Sequence, residues 1–235
     1  MNEMNAPMRA YLTEKFSSFL SDERKASIEH VLSRRTKHIR VAVENLIDPH
    51  NVNAIFRSGE CLGIQDFHVI DNEQSFHIGK GVSKGASKWI DIHRHNESEV
   101  DNSLEAIQHF KQIGYQLVVT SLEPHAMPLH AIDISRPLVL VCGNETGGVS
   151  KRMREHADQL VSIPMYGFTE SYNVSVAAAI ILYHMIERMH KEVENWQLNE
   201  QEKTDYKFQW YKKCMARPDY YQNYYVDAYK ADQNV

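Results

Sequence analysis

Between residues 38 and 196, short apolar runs alternate with stretches of helical periodicity, and no other feature of this sequence restricts the fold so sharply. A strand buried on both faces has no polar side to alternate with. It therefore reads as a continuous apolar run, and such strands occur where helices cover a parallel sheet on both sides. The strand candidates are Ile39–Val43, Asp66–Ile70, Tyr115–Thr120, Pro137–Cys142 and Gln159–Met165. The helix candidates are Val52–Leu62, Val100–Gln112, Ser150–His156 and Asn173–Trp196. The expected class is α/β, a mostly parallel sheet flanked by helices.

The two ends differ from this body. Residues 8–36 carry Tyr11, Phe16, Phe19, Leu20, Ile28, Val31 and Leu32 at helical spacing, which predicts two amphipathic helices. The last segment holds nine of the chain's aromatic residues, from Tyr206 to Tyr229. Tyr and Trp bury a ring while keeping a polar tip wet, so this tail is expected to dock on the body, with a dimer interface or base stacking as alternatives. The expected organisation is a helical extension over 1–37, one catalytic-type domain over 38–196 and a C-terminal extension over 197–235.

Composition narrows the function classes. The chain has 235 residues and a formal net charge of −5, which argues against a protein that coats nucleic acid indiscriminately. The average conceals two basic segments. From Asp22 to Arg40 six cations face three anions, and from Lys80 to His95 four cations face only Asp91. Cys61, Cys142 and Cys214 are widely spaced and odd in number, which points to a reducing compartment and no cysteine-based metal site. With no apolar window of membrane length and an N-terminus unlike a signal peptide, the expectation is a cytoplasmic protein without a membrane or metal partner.

In an open parallel sheet, ligands bind beyond the carboxyl ends of the strands, so the loops from strand to helix carry the information. Three stand out. Glu44–Asn53 (ENLIDPHNVN) leads into a helix bearing Arg57; Asn53 and Arg57 stand four apart on one helix face, with Asn51 expected at the cap. Gly143–Val149 (GNETGGV) has three glycines, which allow close approach of backbone to a ligand, and one acid, Glu145. It lacks the Lys-Ser/Thr pair of a phosphate loop, and Gly79, Gly81 and Gly85 miss the dinucleotide spacing. Tyr166–Tyr172 (YGFTESY) precedes a small-residue helix that Ser171 or Asn173 can cap.

Together, ENLIDPHNVNAIFRSGECLGI, LVLVCGNETGGVS and IPMYGFTESYNVSVAAAI resemble the three motifs of the SpoU/TrmH branch of the SPOUT RNA methyltransferases, in order and with family-like spacing over roughly residues 38–190. The resemblance implies a sheet ending in a deep trefoil knot, S-adenosylmethionine as cofactor, a homodimer and methylation of a ribose 2′-hydroxyl in RNA. It assigns catalytic roles to Asn51, Arg57, Glu145, Ser171 and Asn173, and a cofactor pocket to the backbone around Thr120, Gly143, Ile163 and Tyr172. Tyr172 departs from the family, which usually has Leu there.

The ribose hydroxyl is a poor nucleophile until its proton is helped away. A guanidinium stays protonated in proteins, so Arg57 is expected to polarise the hydroxyl and hold a neighbouring phosphate rather than to act as a base. Asn51 is expected to orient Arg57. Residues 8–40 resemble the N-terminal extension of the family's tRNA guanosine methyltransferases, which modify the D-loop guanosine at position 18. The expected partner is therefore tRNA, gripped by Arg24, Arg34, Arg35, Lys84 and Lys88. Ribosomal RNA, or RNA bound without catalysis, is the alternative.

Overall fold

The computed structural model describes residues 4–72 and 85–233. Among the described residues seven parallel strands form one sheet: β1 (Ile39–Glu44), β2 (Asp66–Ile70), β3 (Asp91–His95), β4 (Gln116–Thr120), β5 (Met127–Pro128), β6 (Leu138–Cys142) and β7 (Gln159–Ser162). Their order across the sheet is β3-β2-β1-β6-β4-β7-β5. After β3 the chain crosses to the other side of β1, so the carboxyl ends of β1, β6 and β4 border the crevice where this class of sheet binds ligands.

The apolar runs are buried on both faces. Val41, Val43, Leu138 and Leu140 enter one core with Phe56, Phe67 and Met185, whereas Ala42, Val139 and Val141 point to the other with Phe110, Leu117 and Met153. Helix α3 (Pro49–Cys61) packs against α6 (Val174–Glu192) on the first side; α4 (Asn102–Gln112) packs against α5 (Lys151–Glu155) on the second.

Two strands lacked an apolar signature. The sequence DIHRH of β3 pairs with β2 alone, with Asp66 opposite Asp91 and Ile70 opposite His95, and an edge strand needs no apolar run. β5 is only two residues long. Element ends also shift. β7 stops at Ser162 rather than Met165, ahead of Pro164, which has no N–H to give a ladder. α3 begins three residues before the expected Val52, because Asp48 accepts from the His50 N–H at 2.8 Å and Pro49 brings a helix-ready φ.

The terminal segments, expected as two separate extensions, cluster into one compact unit formed by residues up to Arg35 and from Gln197 onward; Thr36–Trp196 is the other. In the helical unit, α1 (Ala6–Ser17) packs on α7 (Glu200–Cys214) and α8 (Pro218–Gln233), and α2 (Asp22–Leu32) on α7. The aromatic tail supplies the core here: Phe16 stacks on Phe208 at 5.6 Å between ring centres, Phe19 meets Tyr221 at 4.5 Å and Tyr11 meets Tyr229 at 5.1 Å. The aromatics thus find their partners on the N-terminal helices.

Candidate active site

The loop after β6 is folded back on itself. Asn144 and Gly148 exchange backbone hydrogen bonds of 3.0 and 2.8 Å, and the side chain of Asn144 accepts from the Thr146 N–H at 2.7 Å. Gly143 makes this possible. A Cβ there would lie 2.2 Å from the backbone of Gly148 and Val149, so only glycine lets the two strands of the loop cross so closely.

The segment after β1 grips that loop. The Asn144 side-chain amide donates to the Asn45 carbonyl at 2.9 Å, and the Asn51 amide donates to the Glu145 carboxylate. The Asn51 carbonyl in turn accepts from the Asn173 amide at 3.1 Å, while the Asn173 carbonyl caps α6 by accepting from the Ser175 N–H at 2.9 Å. Glu145, Asn51 and Asn173, far apart in sequence, thus form one hydrogen-bonded chain. Asn51 is not the helix cap. Asp48 holds that position, which leaves the Asn51 side chain free to bridge its two partners.

A cavity of about 730 Å³ opens beside this chain, within the range of small-molecule and cofactor sites. Thr120, Gly143, Ile163 and Tyr172, expected around the cofactor, all line it, as do Glu145, Ser171 and Asn173. Its walls come from the carboxyl ends of β4, β6 and β7 and the start of α6. Gly143, Gly147, Gly148 and the small Ala177 are among the residues that line it, and Asn51, which is not, reaches it through its bonds to the lining residues Glu145 and Asn173. Cys142, at the foot of the loop, is inert: burial pushes its thiol up to about 12.

Arg57 is not among the lining residues; it lies exposed on α3. Six positions at about 100° each separate its direction from that of Asn51, and the amide of Asn51 is engaged with Glu145 and Asn173. The hydrogen bonds of the Asn51 side chain in this chain go to Glu145 and Asn173, not to Arg57. Asn53, on Arg57's own face, turns inward and donates to the Pro49 carbonyl at 2.6 Å.

The cations expected to hold RNA divide. Arg24, Arg34 and Lys88 are exposed, Lys88 lying 4.9 Å from the centre of the Trp89 ring. Arg35 is corrected: it is 0% exposed, with its guanidinium 5.3 Å from the centre of the Trp210 ring, so it cements the helical unit and does not face solvent. Lys80 and Lys84 lie outside the described residues. Sequence reasoning also missed Glu44, Glu123 and Arg154. Glu44 left one signal, an acid directly after the apolar run Val41–Val43 (IRVAVE). Glu123 and Arg154, paired at 3.3 Å on the cavity wall, left none. Among the described residues no group of three or more His, Cys, Asp or Glu could hold a metal ion, and no helix is long and apolar enough to cross a membrane.

Comparison with known proteins agrees with this geometry. The profile of the SpoU rRNA Methylase family matches residues 38–183. The chain is 36% identical over 207 residues to the tRNA (guanosine(18)-2′-O)-methyltransferase of Borreliella burgdorferi, covering 88% of this chain and 93% of that one. The crystal structure of the TrmH/SpoU tRNA modifying enzyme of A. aeolicus superposes with a TM-score of 0.71 at 32% identity, covering 81% of this chain and 95% of that one. AviRb of Streptomyces viridochromogenes, a SpoU methyltransferase crystallised with AdoMet, superposes with a TM-score of 0.56 at 26% identity over 70% of this chain and 62% of that one.

Proposed function

The chain belongs to the SpoU rRNA methylase family, and we propose that its substrate is tRNA, methylated on the ribose of the D-loop guanosine at position 18. It is an S-adenosylmethionine-dependent RNA ribose 2′-O-methyltransferase. The observation that carries the substrate reading is the 93% coverage of a tRNA guanosine-18 enzyme by a match of 207 residues, which is longer than the sheet unit Thr36–Trp196.

The cofactor, when bound, supplies an electrophilic methyl group on a sulfonium. The cavity fits it in volume and in its largely apolar, glycine-containing lining, and Thr120, Gly143, Ile163 and Tyr172 on that lining would hold it. Everything else falls to this chain's side chains. Asn51 joins Glu145 and Asn173, two residues that line the cavity, and so holds the wall beside which the ribose enters in this reading. Arg57 holds the adjacent phosphate in a planar fork and polarises the 2′-hydroxyl, and the phosphate takes the proton. Positioning rather than a strong base carries most of the rate.

The active form is a homodimer in this reading. α6 presents Val176, Ile180 and Tyr183 to solvent along one stripe, and Tyr166 and Phe168 stand fully exposed after β7. Such a surface suits a self-complementary two-fold contact. Arg57 supports the same reading: it is exposed on α3 and does not line its own cavity, and a second copy beside α3 and α6 would complete the site. The family's trefoil knot belongs here too, supported by the crossing of the chain from β6 past β4 to β7 and back through α6 to α3. Arg24, Arg34 and Lys88 are the described cations assigned to tRNA phosphates, and the cytoplasm is where such a substrate is met.

The test is a methyl-transfer assay on purified tRNA and rRNA fractions, with the product mapped by mass spectrometry. A 2′-O-methylguanosine at position 18 of tRNA is the expected result. Modification confined to rRNA would overturn the substrate, and no transfer to either fraction would overturn the activity.

A further inference from the structure

Glu44 is a buried acid that the chemistry above does not use. It ends β1 at 0% exposure, and among the described residues no cation pairs with it. A carboxylate out of water is tolerated only when its oxygens are hydrogen-bonded. Glu44 meets that condition with three donors: the Ser103 hydroxyl in the first turn of α4, the Ser150 N–H at 2.7 Å and the Ser150 hydroxyl at 2.8 Å.

Ser150 ends the glycine loop and caps α5, accepting from the Met153 N–H at 3.1 Å. The loop is therefore held at its start through Asn144 and the Asn45 carbonyl, in its middle through Glu145 and Asn51, and at its end through Ser150 and Glu44. All three grips come from residues 44–51. Of the three, only the Glu44 grip is made by a carboxyl group sealed from water, where hydrogen bonds are strong and geometry least forgiving.

We propose that Glu44 is a positioning residue for the cofactor: acting through Ser150, it sets the shape of the glycine loop that walls the cavity, without touching the cofactor itself. This rests on reading the cavity as the S-adenosylmethionine site. The same carboxylate also ties down α4 through Ser103, whose hydroxyl shares Oε1 with that of Ser150 but donates to no atom of the loop, and this gives an internal control.

The experiment measures S-adenosylhomocysteine affinity by calorimetry, beside the melting temperature, for the parent chain and for Glu44→Ala, Glu44→Gln, Ser150→Ala and Ser103→Ala. Glu44→Ala, which strips all three bonds, should weaken binding by about tenfold or more. Glu44→Gln should restore most of the loss, since the amide oxygen can accept from the Ser150 N–H and the serine hydroxyls can turn to accept from its NH₂. Ser150→Ala should weaken binding several-fold. Ser103→Ala should lower the melting temperature and leave affinity at the parent value. A purely structural Glu44 predicts otherwise: affinity in folded Glu44→Ala equal to the parent, or Ser103→Ala as weak as Glu44→Ala, overturns the proposal. Should Glu44→Ala fail to fold, parent-like affinity in Ser150→Ala overturns it. If the parent chain itself binds no S-adenosylhomocysteine, the cofactor reading falls and takes the proposal with it.

Discussion

At position 51 an amide is required because its two partners make opposite demands. Glu145 needs a donor and Asn173 supplies one, so the side chain must give on one end and accept on the other. Asn51→Asp turns the donating end into a second carboxylate facing Glu145. We expect a greater loss of kcat for Asn51→Asp than for Asn51→Ala, by about tenfold, measured under single-turnover conditions; equal losses would mean that the bridge does not matter. Arg57 makes a complementary case. It stands clear of the cavity lining, so Arg57→Ala should nearly abolish turnover while calorimetric affinity for S-adenosylhomocysteine stays within about twofold of the parent. Arg57→Lys should recover little, because a point charge does not reproduce a planar fork. Both residues were legible from the motifs, but the partner of Asn51 was not, since nothing in ENLIDPHNVN says that its amide reaches across to Glu145.

Among the elements, the β6 loop and the β2-β3 edge carry the sharpest constraints. Gly143→Ala would drive a Cβ into the backbone of Gly148 and Val149, which no side-chain movement can relieve. A loss of at least about 1–3 kcal/mol in urea denaturation is expected, together with weakened cofactor binding. On the edge pair, His68 lies buried, its Nδ1 3.0 Å from Nε2 of His95, stacked on His93 and edge-on to Phe110. Burial, then the nearby His93, His95, Arg40 and His109, lowers its pKa to about 2. The unfolded residue titrates near its ordinary value of 6.5, so below that pH the unfolded chain takes up a proton that the folded chain refuses. This contribution to stability is complete above about pH 6.5 and drains away as pH falls toward 2. His68→Phe, which keeps a ring against Phe110, should flatten the acid limb of a stability-against-pH curve measured by denaturant titration between pH 7 and 5. An unchanged slope would assign the acid sensitivity elsewhere. The strand DIHRH that helps enclose His68 has no apolar pattern, and for that reason the element was invisible before its pairing was seen.

For the whole molecule, the exposed stripe of α6 gives the oligomer reading its test. Tyr183 is 60% exposed on a helix whose opposite side is fully buried, so Tyr183→Asp should shift sedimentation from dimer to monomer at micromolar concentration without lowering the melting temperature of the fold. A parent chain that sediments only as monomer would count against the dimer. Sequence by itself determined the α/β class, most strands of the sheet and the three loops at its carboxyl edge. Those features rest on local periodicity: a strand buried on both faces writes a continuous apolar run, and caps and glycines mark where it must turn. Tertiary structure alone decided that the two ends share one helical unit, that Arg35 is sealed against Trp210, that Glu44 clamps Ser150, and that Glu145, Asn51 and Asn173 join in one chain. These contacts bridge 106 residues from Glu44 to Ser150, 94 from Asn51 to Glu145 and 122 from Asn51 to Asn173. A side chain's own neighbourhood in sequence fixes its element and its face, but its partner is fixed only when the sheet order brings distant loops together.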